Sequence, residues 1–337
     1  MRVIITGIAG FIGSHVAEQM LQAGWEVAGI DDLSGGYLEN VPAGADFFQR
    51  DCSQPVDDIF AQVKPDVVMH LAAYAAEGLS HHIPNFNYHN NVIGTTNILS
   101  AAHRVGAMHF VFTSSIAAYG HAAAGQKAIN EATACQPCDP YGIAKHACEQ
   151  HIAAFHDYYG GPSYTIFRPH NVFGPRQNIS DPFRNVVGIF FRCAKQGLPM
   201  PVFGDGKQTR SFSYIDVVAG CIAESASNNS ARNEVFNVGG DQAMSVIELA
   251  EAVSRLTGAS EGIDFLPPRK EVLHAHADHA KAREVFAGVF DRATPLETGL
   301  SLMRDFVASL DVPPPTPCPA ELEIRDELPA SWRRMLD

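Results

Sequence analysis

Thr6-Gly7-Ile8-Ala9-Gly10-Phe11-Ile12-Gly13-Ser14-His15 follows directly on the apolar run Val3-Ile4-Ile5. The glycines stand as G-x-x-G-x-x-G, and residues 2–32 read as strand, tight turn, helix and second strand. Glycines in such a turn let the backbone approach a pyrophosphate. The helix that begins there adds unpaired N–H groups and the positive end of its dipole. A second apolar run over residues 25–30 ends in Asp31, 18 residues after Gly13. A carboxylate at that place accepts hydrogen bonds from both ribose hydroxyls and repels a 2′-phosphate, so NAD is expected rather than NADP.

Alternating elements continue outward from this unit. Residues 66–70, 109–113 and 164–168 are short apolar runs of buried-strand type, while 90–104 and 141–158 read as helices. After Gly174 the pattern loosens, punctuated by Pro175, Pro182, Pro199, Pro201 and the Gly204-Asp205-Gly206 turn. Helical patterns return at 245–256 and 280–286, and a Pro-rich linker over 313–319 leads to an acidic tail containing Trp332. The expected fold class is α/β, a Rossmann-type doubly wound parallel sheet with a smaller mixed α/β substrate-binding lobe. Residues 1–173 and 208–238 are assigned to the dinucleotide-binding domain, 174–207 and 239–312 to the lobe, and 313–337 to linker and tail.

The second informative stretch is Tyr141-Gly142-Ile143-Ala144-Lys145. A tyrosine and a lysine four apart project from one helix face. Free tyrosine titrates near ~10, so to accept a proton near neutrality Tyr141 needs roughly 4 kcal/mol of differential stabilisation of its anion. The Lys145 ammonium is the expected source.

Composition narrows the class further. With 337 residues, 46% of them apolar, the chain can bury a large core, and its formal charge of −13 disfavours nucleic acid and anionic membrane as partners. Seven cysteines without framework spacing predict reduced thiols and a cytoplasmic protein. The first strand starts at Arg2 or Val3, which leaves no room for a signal peptide, and no apolar run reaches membrane-spanning length.

Taken in order, TGIAGFIGSH (6–15), IDDLSGG (30–36), RDC (50–52), HLAA (70–73), NN (90–91), FTSSIAAYG (112–120), YGIAK (141–145), RPHNVFGPRQ (168–177), FGDGKQTRSFSYIDV (203–217), FNVGG (236–240) and ADHAKA (277–282) form a specific set. Over roughly residues 1–310 the chain resembles the extended short-chain dehydrogenase/reductases that act on nucleotide sugars, within them most of all the UDP-glucose 4-epimerases. The resemblance implies tightly held NAD, a UDP-sugar as substrate and a homodimer paired through helices 90–104 and 141–158, with Ala144, Ala147, Ala153 and Ala154 available for close packing. It gives Tyr141 the role of base and acid, Lys145 that of ribose anchor and pKa tuner, and Ser115 that of donor to the sugar 4-oxygen. Asp31 is assigned to the adenosine ribose and Asp51 to the adenine amino group. Gly7, Gly10, Phe11, Ile12, Gly13, Asp32, Cys52, Leu71, Ala72, Ala73 and Asn90 fall at the other cofactor positions. Asn171, Arg176, Arg210 and Arg269 are assigned to the sugar nucleotide, where arginines suit a diphosphate through forked hydrogen bonds.

Ser115 is followed by Ile116 and Ala117. Dehydratases and decarboxylases of this kind carry carboxyl groups there, and GDP-mannose 3,5-epimerases a cysteine near Ala117. Side chains that cannot move protons leave oxidation, turning of a 4-keto sugar and re-reduction as the expected reaction. Ala275 falls at the position that gates bulk near the sugar 2-substituent, and its small side chain admits an N-acetyl group. Gln177 is followed by Asn178-Ile179-Ser180-Asp181 rather than the R-P-D-M usual in uronate 4-epimerases. Glu77, in the unusual stretch 74–80, is expected to face the hexose and to mark a substrate other than plain UDP-glucose.

Other signals take plainer readings. His274, His276 and His279 with Asp278 suit alternate residues of a short strand at the substrate better than a metal site, so no metal is expected. Cys135 and Cys138 lack a second pair, and the Asn178 sequon matters only in exported chains. A dinucleotide-binding regulatory protein is the non-enzymatic alternative, and the intact Ser115, Tyr141 and Lys145 argue against it. A dehydrogenase, dehydratase or 4-reductase that releases its cofactor, or a UDP-glucuronate 4-epimerase, remains the enzymatic one.

Overall fold

A computed structural model describes residues 1–121, 129–268, 274–311, 316–329 and 332. Its centre is a seven-stranded parallel sheet in the order Glu234–Val238, Ser163–Pro169, His109–Thr113, Val67–His70, Arg2–Thr6, Glu26–Asp31, Asp46–Gln49. The inner strands are near-continuous runs of buried Val, Ile and Phe, as a sheet covered on both faces requires. One core, around Val3, Ile5, Val16 and Phe236, packs against the helices Phe11–Gln22 and Ile215–Ser225. The other, around Ile4, Phe60, Phe110 and Ile152, packs against Asp57–Val63, Gly94–Arg104 and Pro140–Tyr159.

Strand order reverses between Arg2–Thr6 and Val67–His70, which opens a crevice at their carboxyl ends. Thr6 ties the two ends together. Its hydroxyl bonds His70 Nδ1 at 2.7 Å and accepts from the Leu71 and Ala72 amides at 3.2 Å each.

Smaller sheets sit beside this body. Val172–Phe173 pairs with Ser213–Tyr214, Met200–Phe203 with Ile263–Leu266, and Thr209–Ser211 lies between Ala243–Ser245 and His274–Ala275. A third core, around Phe190, Phe191, Leu249 and Met303, fills this part. Its helix Val246–Thr257 starts on a capping box in which the Ser245 hydroxyl and the Glu248 carboxylate satisfy each other's backbone amides.

Four elements differ from the sequence reading. The helical stretch expected from residue 90 begins earlier, at Pro84, and runs through a π-turn over His89–Ile93 into Gly94–Arg104. Proline at a first helical position accounts for the early start. The edge strand Asp46–Gln49 and the helix Asp57–Val63 carry too little apolar periodicity to stand out. Residues 316–329 and Trp332 pack on the body instead of trailing from a linker: Leu328 and Trp332 are buried with Tyr74, Leu79 and Ile83.

Candidate active site

One cleft of about 1340 Å³ runs from the glycine turn to the C-terminal segment. Gly7, Gly10, Phe11, Ile12 and Gly13 line its first end, together with Asp31, Asp32, Asp51, Cys52, Leu71, Ala72, Ala73 and Asn90. The close approach needs glycine at two positions. Gly7 has φ +73°, and a Cβ on Gly13 would fall 2.0 Å from the Gly7 carbonyl oxygen. The helix Phe11–Gln22 has no side-chain cap, so its first-turn amides are left to a ligand. Asp31 is buried and accepts from the Ala9 amide at 3.0 Å and the Leu33 amide at 2.8 Å. Burial raises its pKa against those two bonds. Asp51 accepts from the Ser53 amide at 2.7 Å and hydroxyl at 2.8 Å. An uncapped helix end, a glycine floor and two carboxylates beyond it suit a dinucleotide.

Midway along the cleft stand Ser115, Tyr141 and Lys145. The helix Pro140–Tyr159 delivers the last two: the Asp139 carboxylate caps it, accepting from the Gly142 amide at 2.8 Å, and Pro140 opens its first turn. Ser115 caps the 3₁₀ turn Ile116–Tyr119, accepting from the Ala117 amide at 3.1 Å, and its hydroxyl stands beside the Tyr141 side chain, where it favours the phenolate. Lys145 is 2% exposed and donates to the Thr113 carbonyl at 2.8 Å, its ammonium 5.9 Å from the Tyr141 ring centre. Burial pushes Lys145 down to about 8.

Tyr141 differs from the sequence reading. Burial first, and then the Glu77 carboxylate, push its pKa above the ordinary value, with the Ser115 hydroxyl opposing them. The Lys145 ammonium is turned to the Thr113 carbonyl, so the lysine by itself does not make the tyrosine a base.

The far end carries several arginines. Arg210 lines the cleft and donates to the Thr209 carbonyl at 2.9 Å; Asn171, at φ +41°, donates to the Ser211 carbonyl at 3.1 Å. Glu77 opens the short helix Glu77–Ser80 and faces the cleft. Arg176 does not join this group. It turns at φ +67° to an ion pair with Glu18 at 2.7 Å, away from the cleft wall. Arg269 lies outside the described residues, as does the side chain of Ala275, whose backbone pairs with Arg210.

Arg184 and Arg192 also line the cleft. Arg184 pairs with Asp181 at 2.6 Å and lies 4.4 Å over the Tyr74 ring. Arg192 donates to the Ser180 carbonyl at 3.3 Å, and its Nε is buried without a hydrogen-bond partner. Nothing in their local sequence separates them from Arg176.

The histidine cluster has other partners. His279 bonds His170 through the two Nε2 atoms at 2.7 Å and Asp241 at 2.7 Å, and His276 bonds Thr209 at 3.1 Å. Among the described residues, Cys135, His146 and Glu149 come together in a possible metal-ligand group. Glu149 there is already committed to Arg168.

With this geometry in hand, the relatives are informative. The chain is 34% identical over 295 residues, 85% of its own length and 92% of the relative's, to a UDP-glucose 4-epimerase of Mycolicibacterium smegmatis. Its fold matches a UDP-glucose 4-epimerase of Thermotoga maritima solved with UDP-glucose, with TM-score 0.84 and 31% identity over 91% of this chain and 99% of that one. It also matches a UDP-N-acetylglucosamine 4-epimerase of Methanobrevibacter ruminantium in complex with UDP-N-acetylmuramic acid, with TM-score 0.82 and 28% identity over 91% and 98% of the two chains. The sequence profile of the NAD dependent epimerase/dehydratase family matches residues 3–239, and the chain belongs to that family of enzymes.

Proposed function

We propose that this enzyme interconverts the C4 epimers of a UDP-hexose or UDP-N-acetylhexosamine. The observation that carries the reading is Ser115, Tyr141 and Lys145 standing midway in one cleft, between a dinucleotide floor and an arginine-bearing end. Tyr141 takes the proton of the sugar 4-hydroxyl as the C4 hydrogen leaves as hydride, and returns it when the 4-keto sugar is reduced on its other face. When bound, NAD would supply the hydride acceptor and positive charge that favours the Tyr141 phenolate. Ser115 orients the sugar oxygen, and Lys145 anchors the nicotinamide ribose while its charge, held by the Thr113 carbonyl, favours the phenolate. Ile116 and Ala117 bring no proton carrier, which supports epimerisation over elimination. Asn171, Arg210 and Arg269 hold the sugar nucleotide, the two arginines at its diphosphate, and the residues around the three small sheets act as the substrate lobe of our domain division.

Incubating the enzyme with NAD and UDP-glucose, and separately with UDP-N-acetylglucosamine, tests this reading. UDP-galactose or UDP-N-acetylgalactosamine is the expected product, with no net consumption of NAD. Accumulation of a 4-keto or dehydrated sugar, or turnover of UDP-glucuronate alone, overturns it.

We further propose a two-fold dimer. The helices Gly94–Arg104 and Pro140–Tyr159 lie side by side, and with the preceding π-turn they leave Ile93 (47%), Ile143 (41%) and Tyr158 (83%) exposed. Ala147 and Ala154 lie on that outer face, whereas Ala144 is buried within the chain and Ala153 half-buried. Such a patch suits a self-complementary interface. Light scattering at micromolar concentration should give twice the 36.4 kDa chain mass, and Ile143→Glu should return it to one.

A further inference from the structure

The C-terminal segment, beyond the span of the resemblance, is tied to the body at two places, the 178–180 stretch and the 82–86 stretch. On one side the Thr316 amide donates to the Ser180 carbonyl at 2.9 Å, and Asn178 donates to the Thr316 hydroxyl at 3.2 Å. On the other, the Glu323 carboxylate accepts from the Asn85 and Phe86 amides at 3.0 and 3.2 Å. His82 completes that clamp: its carbonyl accepts from the Glu323 and Ile324 amides, and its ring bonds the Ile324 carbonyl at 2.9 Å.

Trp332 packs beside these contacts. Its ring meets Phe183 edge-on at 5.2 Å and His82 at 6.2 Å, and its side chain lines the cleft on the same stretch of wall as Glu77, His81 and Phe183. Trp332 is 6% exposed and shares a cluster with Tyr74 and Leu328. An indole held edge-to-face on two rings is a fixed wall rather than a loose end.

We infer that the tail, residues 316–329 and Trp332, is part of the sugar subsite and that Trp332 is a specificity-determining residue, its indole packing on an apolar edge of the bound hexose. The inference rests on the sugar-nucleotide reading above. It places the tail at the hexose and not at the nucleotide, because Trp332 reaches the cleft beside the 74–83 segment that also supplies Glu77.

The chain's second tryptophan, Trp25, precedes the strand Glu26–Asp31 at the amino-terminal edge of the sheet, opposite the cleft. In a Trp25→Phe enzyme, emission therefore reports Trp332 alone. UDP-glucose and UDP-N-acetylglucosamine should change that emission at saturation, and UDP alone should not. Trp332→Ala should raise KM about 10-fold with kcat nearly kept, and Trp332→Phe should restore most of it. NAD retention in both variants checks that they fold.

The results separate the two readings. An emission change without epimerisation leaves the tail at the sugar and removes the 4-epimerase assignment. Epimerisation with no emission change, or with an unaltered KM in Trp332→Ala, overturns the tail assignment. An enzyme that binds none of these ligands by calorimetry overturns both.

Discussion

Tyr141→Phe is expected to lose at least about 100-fold in turnover, the scale of one positioned acid/base group, while NAD stays bound. Only the phenolic oxygen is removed, so the ring keeps its place: Tyr141 is 6% exposed, and its backbone amide donates to the Ser80 hydroxyl at 3.2 Å. The cofactor end of the cleft depends on other residues, from Gly7 to Asp51. The size of the loss follows from the electrostatics. Burial and the Glu77 carboxylate hold the Tyr141 proton on, so a phenolate forms only against that resistance, with the Lys145 charge and bound NAD as the opposing positive groups. In the NAD-bound enzyme, with the added positive charge bringing Tyr141 below Lys145, activity should rise with pH as Tyr141 ionises and fall again as Lys145, held down near 8, loses its proton. Glu77→Gln removes one of the groups that oppose the phenolate, so it should move the rising limb to lower pH. Single-turnover measurements across pH check this. Near wild-type rates in Tyr141→Phe would mean that another group carries the proton.

The sequence disclosed what is local. The glycine turn, Asp31 and the Tyr141/Lys145 pair are set by residues within a few turns of one another, and their spacing survives folding unchanged. The titration of Tyr141 was hidden because it depends on burial and on Glu77, 64 positions earlier in the chain. The arginines teach the same lesson. Arg176 and Arg184 sit in one irregular stretch, yet a left-handed turn sends the first to Glu18, while the second stacks on Tyr74. The tail was misread for a related reason: Pro-rich and acidic composition argues for a linker, and only contacts spanning some 240 residues, such as His82 with Ile324, make it part of the body. The edge strand Asp46–Gln49 escaped because no residue of it is fully buried, so it carries little apolar signal.

Glu149→Gln is expected to destabilise the enzyme by about 3–5 kcal/mol, the cost of leaving a buried cation unpaired. Glu149 and Arg168 are each 5% exposed, joined by a two-pronged bond in which Arg168 Nε donates at 2.9 Å and Nη2 at 2.5 Å. The Ser114 hydroxyl also donates to Glu149, one residue from Ser115, and the Arg168 guanidinium lies 4.6 Å over the Tyr119 ring. Glutamine keeps the shape but not the charge, so Arg168 is left with a neutral amide that also brings donors of its own. Burial pushes the Glu149 carboxyl up, yet the hydrogen bonds from Arg168, His146 and Ser114, with the Arg168 charge, outweigh it and hold the pKa below the ordinary value. Because the folded pKa is depressed, this contribution is complete above the unfolded value near ~4.3. It is lost as pH falls through the lower folded value. The gap in stability between wild type and Glu149→Gln should thus stay constant from pH 7 to about 5 and close below about 4. The Glu149 charge also supports the ammonium of Lys145, so the variant should shift the alkaline limb of activity to lower pH as well. Adding Arg168→Met to Glu149→Gln should recover much of the stability, since it removes the stranded charge. Denaturant titrations of the two single variants and the double variant measure the coupling. Additive losses would show that the pair does not act as a unit beneath the active site.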